Sequence, residues 1–283
     1  MEGVRITKKQ IILILVFSFL SFLGYFFYLN LDPRTKIVFC DVGQGDATYI
    51  RIKNKVDVLI DAGPDKKILT CLGKHMPFWD KKIEMSFLSH PNKDHYNGFY
   101  FINERYKIEY FVTIENAFVS QNYKRLIDRL KKNKVSILKM FQNDQVNILN
   151  SRFLFLWPSK NFVSSQDNDY SHLLLFQEGE FKALFTGDAS SKILNLIANN
   201  NYFHSLLKDI DILKIPHHGS KNGLTKNFVE TIKSKIAVIS VGKNNPYGHP
   251  AKKILEMFQA KKIKIKRTDE KGDIIIKIRS AKI

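Results

Sequence analysis

Three potential metal ligands, His90, Asp94 and His95, fall within six residues of one another in the run Ser89-His90-Pro91-Asn92-Lys93-Asp94-His95-Tyr96-Asn97-Gly98. Imidazole nitrogens and a carboxylate oxygen are the donor set that a divalent transition ion takes. The reading without chemistry makes both histidines surface residues and Asp94 the N-cap of a following helix. Three further polar clusters bear on the choice: Thr186-Gly187-Asp188, Pro216-His217-His218-Gly219-Ser220 and Tyr247-Gly248-His249-Pro250. Five of the chain's eight histidines lie in these clusters and the first run. Each cluster follows an apolar stretch. Ligands that converge from several strand ends are how a scaffold assembles a metal site, so the four clusters argue jointly for one centre.

The elements that must position them can be read from periodicity. Ile83, Met85 and Phe87 alternate with polar residues as in a half-buried strand, and Asn97-Gly98 suits a tight turn. Upstream, residues 37–40, 49–52 and 56–60 read as strands. Between them lies the turn-rich Asp41-Val42-Gly43-Gln44-Gly45-Asp46-Ala47. Residues 66–76 have helical spacing. Downstream, strands are expected at 108–112, 135–138, 153–156, 173–176, 181–185, 210–215, 236–241, 263–265 and 274–278. Helices are expected at 123–130, 190–198, 225–232 and 251–258. The clusters therefore sit at strand ends in a layered mixture of sheet and helix without repeats.

The chain has 283 residues, 44% of them hydrophobic, which is enough for a substantial core. Lys and Arg number 45 against 27 Asp and Glu, a net charge of +18 that favours polyanionic partners: nucleic acid, teichoic-type polymers or an anionic membrane. Lys-rich chains also arise from AT-rich genomes, and the lysines are spread along the chain, so charge does not choose among these. The two cysteines, Cys40 and Cys71, make neither a disulfide framework nor a zinc site. With apolar neighbours, both are expected as buried free thiols.

Residues 11–29 are apolar and uncharged, sufficient for a span of about 20 residues. Arg5, Lys8 and Lys9 precede the run, and Asp32, Arg34 and Lys36 follow it. The positive-inside rule then puts the N-terminus in the cytoplasm. The competing reading, a cleaved signal peptide, meets a stretch longer than usual and no small-x-small site. The expected organisation is a short cytoplasmic segment (1–10), a single-pass anchor (11–30) and an extracytoplasmic domain (36–283) at the cell membrane.

The ordered motifs from Asp41 to Ala47, Leu59-Ile60-Asp61-Ala62-Gly63, His90 to His95, Thr186 to Asp188, Pro216 to Ser220 and Tyr247 to Pro250 resemble the metallo-β-lactamase fold. Specifically, they are similar to the hydrolase domain of the ComEC family of DNA-uptake competence proteins, over roughly residues 36–280. The resemblance implies an α/β protein, an αβ/βα sandwich with metals at one edge of two sheets, here preceded by one transmembrane helix. That family's multi-helix channel is absent from this sequence, so the expectation is a hydrolase unit on a single anchor, with uptake itself not implied. The wider pattern is His-x-His-x-Asp-His; Asn92 stands where the second histidine would be, and an amide is a poor ligand for a zinc-like ion. A further first-site ligand would come from Asp167-Asn168-Asp169-Tyr170-Ser171-His172, as a carboxylate, Asn168 or His172. The second site has Asp94, His95, Asp188 as the bridge, and one of His217 and His218. His218 matches the usual position. The resemblance thus implies one or two divalent ions, zinc or manganese, with His90 in a weak first site and the second site firm. Asp94 and Asp188 hold the reacting centre, while His217 and His249 serve phosphate oxygens or the leaving group.

These expectations define a metal-dependent phosphodiesterase acting on DNA outside the membrane, with DNA-uptake machinery as a candidate partner. Two alternatives stand beside it. One is an envelope phosphodiesterase of teichoic-acid or phosphorylcholine type; the other is a non-catalytic DNA-binding module whose metal site has decayed.

Overall fold

The computed structural model describes residues 7–30, 32–114 and 119–278. Arg5, residues 1–6 of the expected cytoplasmic segment and residues 279–283 of the expected domain lie outside the described residues.

Helix α1 (Lys8–Asn30) comes first. It is the one helix among the described residues long and apolar enough to cross a membrane, and most of its described apolar side chains are exposed. Two seven-stranded sheets follow. The first holds β1 (Lys36–Phe39), β2 (Ala47–Ile52), β3 (Val56–Ala62), β4 (Lys82–Phe87), β5 (Lys107–Thr113) and β6 (Ser136–Lys139) in that order, with the last strand of the chain, β14 (Ile274–Lys277), beside β1. The second runs from β7 (Gln145–Ile148) through β8 (Ser151–Trp157), β9 (Leu173–Glu178), β10 (Phe181–Phe185), β11 (Ile212–Lys214) and β12 (Ile236–Ile239) to β13 (Lys264–Arg267). Strands β3 to β6 are parallel, as are β10 to β13; the remaining pairs are antiparallel.

Side-chain alternation explains why two sheets stack. In β8 and β9, Phe153, Phe155, Leu174 and Phe176 point between the sheets, while Leu154, Leu156, Leu173 and Leu175 point to the outer face. Each strand thus buries both faces, which is why several read as continuous apolar runs. Phe87 of β4 lies with its ring 5.0 Å from that of Phe153 and 5.8 Å from that of Phe155, joining the layers. On the outer face of the first sheet pack α2 (Lys67–His75), α4 (Gly98–Arg105) and α5 (Gln121–Lys132), with the single-turn α3 (Lys93–Tyr96) leading into α4. The second sheet is covered by α6 (Ser191–Ala198), α7 (Asn201–Leu207), α8 (Lys226–Ile232) and α9 (Lys252–Ala260); α10 (Thr268–Lys271) precedes β14. The layer order is the αβ/βα sandwich that the resemblance implied.

Two local expectations are corrected, and one alternative reading falls. Cys40 and Cys71 are joined in a disulfide, not free. Residue 40 follows β1 on its outer face, exactly the face that α2 covers with residue 71, so folding brings two buried thiols together across 31 residues of chain. The Asn97-Gly98 pair is helical, not a turn: Asn97 has φ −66° and joins α3 to α4. Gly98 is needed for close packing instead, since a Cβ there would lie 1.9 Å from the Ala62 carbonyl oxygen. Finally, Asp94 does not cap α3, whose N-cap is Asn92. The edge strand β7 and helix α7 had no counterpart in the sequence reading, because both are short: four and seven residues give too few repeats of a period to be told from a loop.

Candidate metal centre

The four clusters meet at one edge of the sandwich, outside the carboxyl ends of β4, β10, β11 and β12. Crevices at the carboxyl ends of parallel strands are where open α/β sheets bind ligands. Ser89 to His95 follow β4, Asp188 follows β10, His217 and His218 follow β11, and His249 lies on the loop after β12. Gly187 lets two of these loops approach: it has φ +49°, and a Cβ on it would lie 2.7 Å from Cβ of Ser89.

Asp94, His95, Asp188 and His218 each offer a ligand atom within 4.8 Å of the others. His95 Nε2 stands 3.3 Å from Asp188 Oδ1 and 3.9 Å from Asp94 Oδ2. His218 Nε2 lies 3.1 Å from Asp94 Oδ2 and 3.8 Å from Asp188 Oδ2. The other nitrogen of each ring is engaged behind the cluster. His95 Nδ1 is 2.8 Å from Asp61 Oδ2, and Asp61 is in turn held by the Ser89 amide and hydroxyl. His218 Nδ1 is 3.0 Å from the Ser240 carbonyl and 3.2 Å from Asp46 Oδ1. Partners on Nδ1 fix the tautomer and aim Nε2 at the centre, which is how metal-ligating histidines are oriented. Asp46 itself receives the Lys214 ammonium at 2.6 Å, and both are buried.

Electrostatics match a cation-binding role. Burial disfavours charge on His95, but the carboxylates of Asp188, Asp61 and Asp94 outweigh it and hold its pKa well above the ordinary value. Burial likewise opposes charging His218, yet Asp188 and Asp46 push its pKa up to about 10. Burial raises Asp188, but the imidazoles of His95 and His218 win and keep its pKa well below the carboxylate range. Two carboxylates and two imidazolium groups thus balance in charge.

A divalent ion fits these residues on their own geometry. His90 Nε2 is buried without a hydrogen-bond partner, while His95 Nε2 and Asp188 Oδ1, also buried, face each other only as an ion pair at 3.3 Å. Leaving a buried atom such as His90 Nε2 unsatisfied costs about 1–3 kcal/mol, and all three are of the types that ligate metals. His90 adjoins the cluster, its ring centroid 4.3 Å from that of His95. Burial, then the neighbouring His95, push its pKa down to about 3, so it offers a neutral nitrogen.

The remaining sequence candidates divide. Asn92 and Asn168 both line the cleft, and their amides pair with each other, Nδ2 to Oδ1 at 3.3 Å. His172 does not reach it, which corrects its place among the candidate ligands. Its Nδ1 lies 2.9 Å from the Leu88 carbonyl and its Nε2 3.1 Å from that of Met140, because its backbone joins Ser89 at the start of β9 and turns the ring inward. Asp169, also in that stretch, accepts from Ser164 and Ser190 instead. His217 and His249 stand at the rim, ring centroids 6.1 Å apart, with His217 Nε2 3.9 Å from Asp188 Oδ2. The cleft over the centre measures about 540 Å³ and is also lined by Gln44, Lys93 and Tyr247.

Sequence reasoning passed over Asp46, Asp61 and Lys214. The signal for the aspartates was their place in turn motifs at strand ends. For Lys214 it was a cation closing an otherwise apolar strand just before Pro216.

No family model matches the sequence. The fold is that of metallo-β-lactamase-fold proteins. The YhfI protein of Bacillus subtilis, so described, superposes with a TM-score of 0.59 at 10% identity, over 87% of this chain and all of that one. Zinc-bound PqqB from Methylobacterium extorquens gives 0.60 at 8% identity, over 86% of this chain and all of its own. Among curated relatives, ComE operon protein 3 of Bacillus subtilis is 28% identical over 272 residues, covering 88% of this chain and 34% of its own length. Competence protein ComA of Neisseria gonorrhoeae is 25% identical over 85% of this chain and 32% of its own length. The chain thus spans about a third of the length of these relatives.

Proposed function

We propose that this protein is a metal-dependent phosphodiesterase that cleaves DNA, held by α1 in a membrane with the folded domain outside the cytoplasm. The observation that carries the reading is the cluster of Asp94, His95, Asp188 and His218, its two Nε2 atoms aimed inward and its second nitrogens already engaged. The competence-protein relatives and the charge of +18 favour DNA among polyanions. The disulfide favours an oxidising compartment.

Asp94, His95, Asp188 and His218 would hold the firmer ion, and His90 with Asp188 the weaker one, where Asn92 and Asn168 supply only amides. Zinc and manganese both suit this donor set. When bound, a divalent ion supplies a water of lowered pKa and positive charge for phosphate oxygens. The chain's own groups do the rest. Burial, then His217 and His218 nearby, lower the pKa of His249. Its neutral ring can donate a hydrogen bond to a phosphate oxygen. His217, with 41% of its side chain exposed at the rim, is placed to deliver a proton to the leaving oxygen. Lys93 at the mouth of the cleft would steer the polyanion.

The test is cleavage of labelled single-stranded DNA by the full chain with manganese or zinc, beside Asp188→Ala. Metal-dependent cleavage lost in the variant supports the reading. DNA binding without cleavage under any metal, unchanged in Asp188→Ala, would replace it with a binding module. Hydrolysis of choline-phosphate esters alone would replace it with an envelope esterase.

A further inference from the structure

An exposed aromatic pair lies on the loop between α2 and β4, in Pro77-Phe78-Trp79-Asp80. Phe78 is 75% exposed and Trp79 43%, and their rings pack edge to face at 4.8 Å. They serve neither core nor cleft. The Trp79 ring also lies 5.1 Å from that of Phe26. Phe26 lies about one turn before the C-terminal end of α1, on the side of the folded domain. We propose that this loop is a second membrane contact, with Phe78 and Trp79 seated in the headgroup region of the bilayer that α1 crosses; it rests on the anchor reading above.

Length supports the occupant. Helix α1 has 23 residues, or about 35 Å at 1.5 Å per residue, against about 30 Å of hydrocarbon. Its C-terminal end therefore falls at the bilayer boundary, and Trp79 beside Phe26, about 6 Å along the axis from that end, falls just inside it. Tryptophan is enriched at that depth because its ring is apolar and its N–H polar. Only residues 31–35 separate α1 from β1, a reach of at most about 18 Å. Asp32 shortens that further by pairing with Lys277 of β14 at 2.9 Å, so some face of the domain must lie against the membrane. The loop is flanked by Lys74, Lys81 and Lys82, of which Lys74 and Lys81 are exposed, a charge that suits anionic headgroups. Its mounting is stiff, since α2 is stapled to the end of β1 by Cys40–Cys71.

Docking there orients the metal centre. The loop leads into the start of β4, whereas His90, Asp94 and His95 follow its end; β1 likewise runs from the anchor toward the Asp46 loop. Six residues of β4 span about 20 Å. The cleft is thus held on the edge facing away from the bilayer, open to a polymer in the aqueous space.

The experiment reads Trp79 emission in the full chain in phosphatidylcholine–phosphatidylglycerol vesicles, as the difference between the native chain and Trp79→Phe. That difference removes the buried Trp157 without disturbing the core. Lipids brominated near the glycerol end of the acyl chain are compared with unlabelled lipids. The expected result is a blue-shifted Trp79 emission that loses intensity with the brominated lipid. Phe26→Trp in the Trp79→Phe background is the companion probe. Quenching of that probe with a water-like, unquenched Trp79 signal would overturn the loop contact and leave the anchor standing. Absence of quenching at both positions would overturn the two together.

Discussion

The Asp61 carboxylate lies 2.8 Å from Nδ1 of His95, on the side of the ring opposite the cluster. It also accepts from the Ser89 amide at 2.7 Å and hydroxyl at 2.8 Å, so its position is fixed by the loop whose ligand it orients. Burial raises the Asp61 pKa, and the adjacent His95 imidazole opposes that rise. Asp61 has φ +57°, a left-handed conformation that asparagine tolerates. Asp61→Asn should therefore fold while removing the charge behind His95. Outer-shell partners of this kind are worth about 10–100-fold in metal affinity. A competition titration against a chelating dye should show a loss in that range, and unchanged affinity would remove Asp61 from the centre's support.

Asn92 and Asn168 turn their amides toward each other in the cleft, which predicts unequal occupancy. One ion should bind tightly and a second only weakly. Asn92→His should strengthen the second, because an imidazole nitrogen then replaces an amide in the lining of the cleft. Metal analysis after gel filtration checks this. Two tightly held ions in the native chain would sink the prediction.

Much of this was legible in the sequence. The strand-end position of His90, Asp94, His95, Asp188, His218 and His249 follows from apolar periodicity alone. Most helices and strands fall where that periodicity put them. What periodicity cannot give is which strand ends face each other or which way a ring turns. His172 sits in a stretch next to the cleft, yet a backbone bond to Ser89 sends its ring to two carbonyls. Lys214 and Asp46 are 168 residues apart and meet only because both sheets bring their ends to one edge. The cysteine pair escaped for the same reason: the count of two says nothing of the packing of α2 on β1.

Raised imidazole pKa values give a pH dependence to metal binding. Neighbouring carboxylates hold His95 well above its ordinary value and His218 at about 10, so both carry protons at pH 7 in the metal-free protein. An ion takes the neutral ring, so binding must release protons. Affinity should fall as pH drops from 8 to 6 and rise again on the alkaline side. Calorimetry in two buffers of different ionisation heat should report net proton release; binding heats independent of buffer would contradict it.

The buried Lys214–Asp46 pair carries a stability prediction. Lys214→Met takes the ammonium away from the buried Asp46 carboxylate, and breaking a buried pair by removing one partner costs about 3–5 kcal/mol. Asp46 also backs His218, so Lys214→Met/Asp46→Asn should recover stability more fully than metal affinity. Chemical denaturation of the two variants, run beside metal titrations, separates the effects. Equal stability of single and double variants would mean that the charge left behind is not what costs.

The disulfide closes a loop of 31 residues between Cys40 and Cys71. Constraining the unfolded chain by a loop of that length is worth about 3–4 kcal/mol. The bond also ties the end of β1, from which the Asp46 loop departs, to the helix packed on it. Replacing both cysteines by alanine should therefore lower the denaturation midpoint clearly. Metal affinity should change much less, because Asp46 keeps Lys214 and His218 as partners on the other sheet. Denaturation curves with and without reductant test the first part: the native chain should shift to the alanine variant's midpoint once reduced, while the variant itself should not respond. If reduction leaves the native midpoint in place, the bridge contributes little, and the packing of α2 on the first sheet holds that corner unaided.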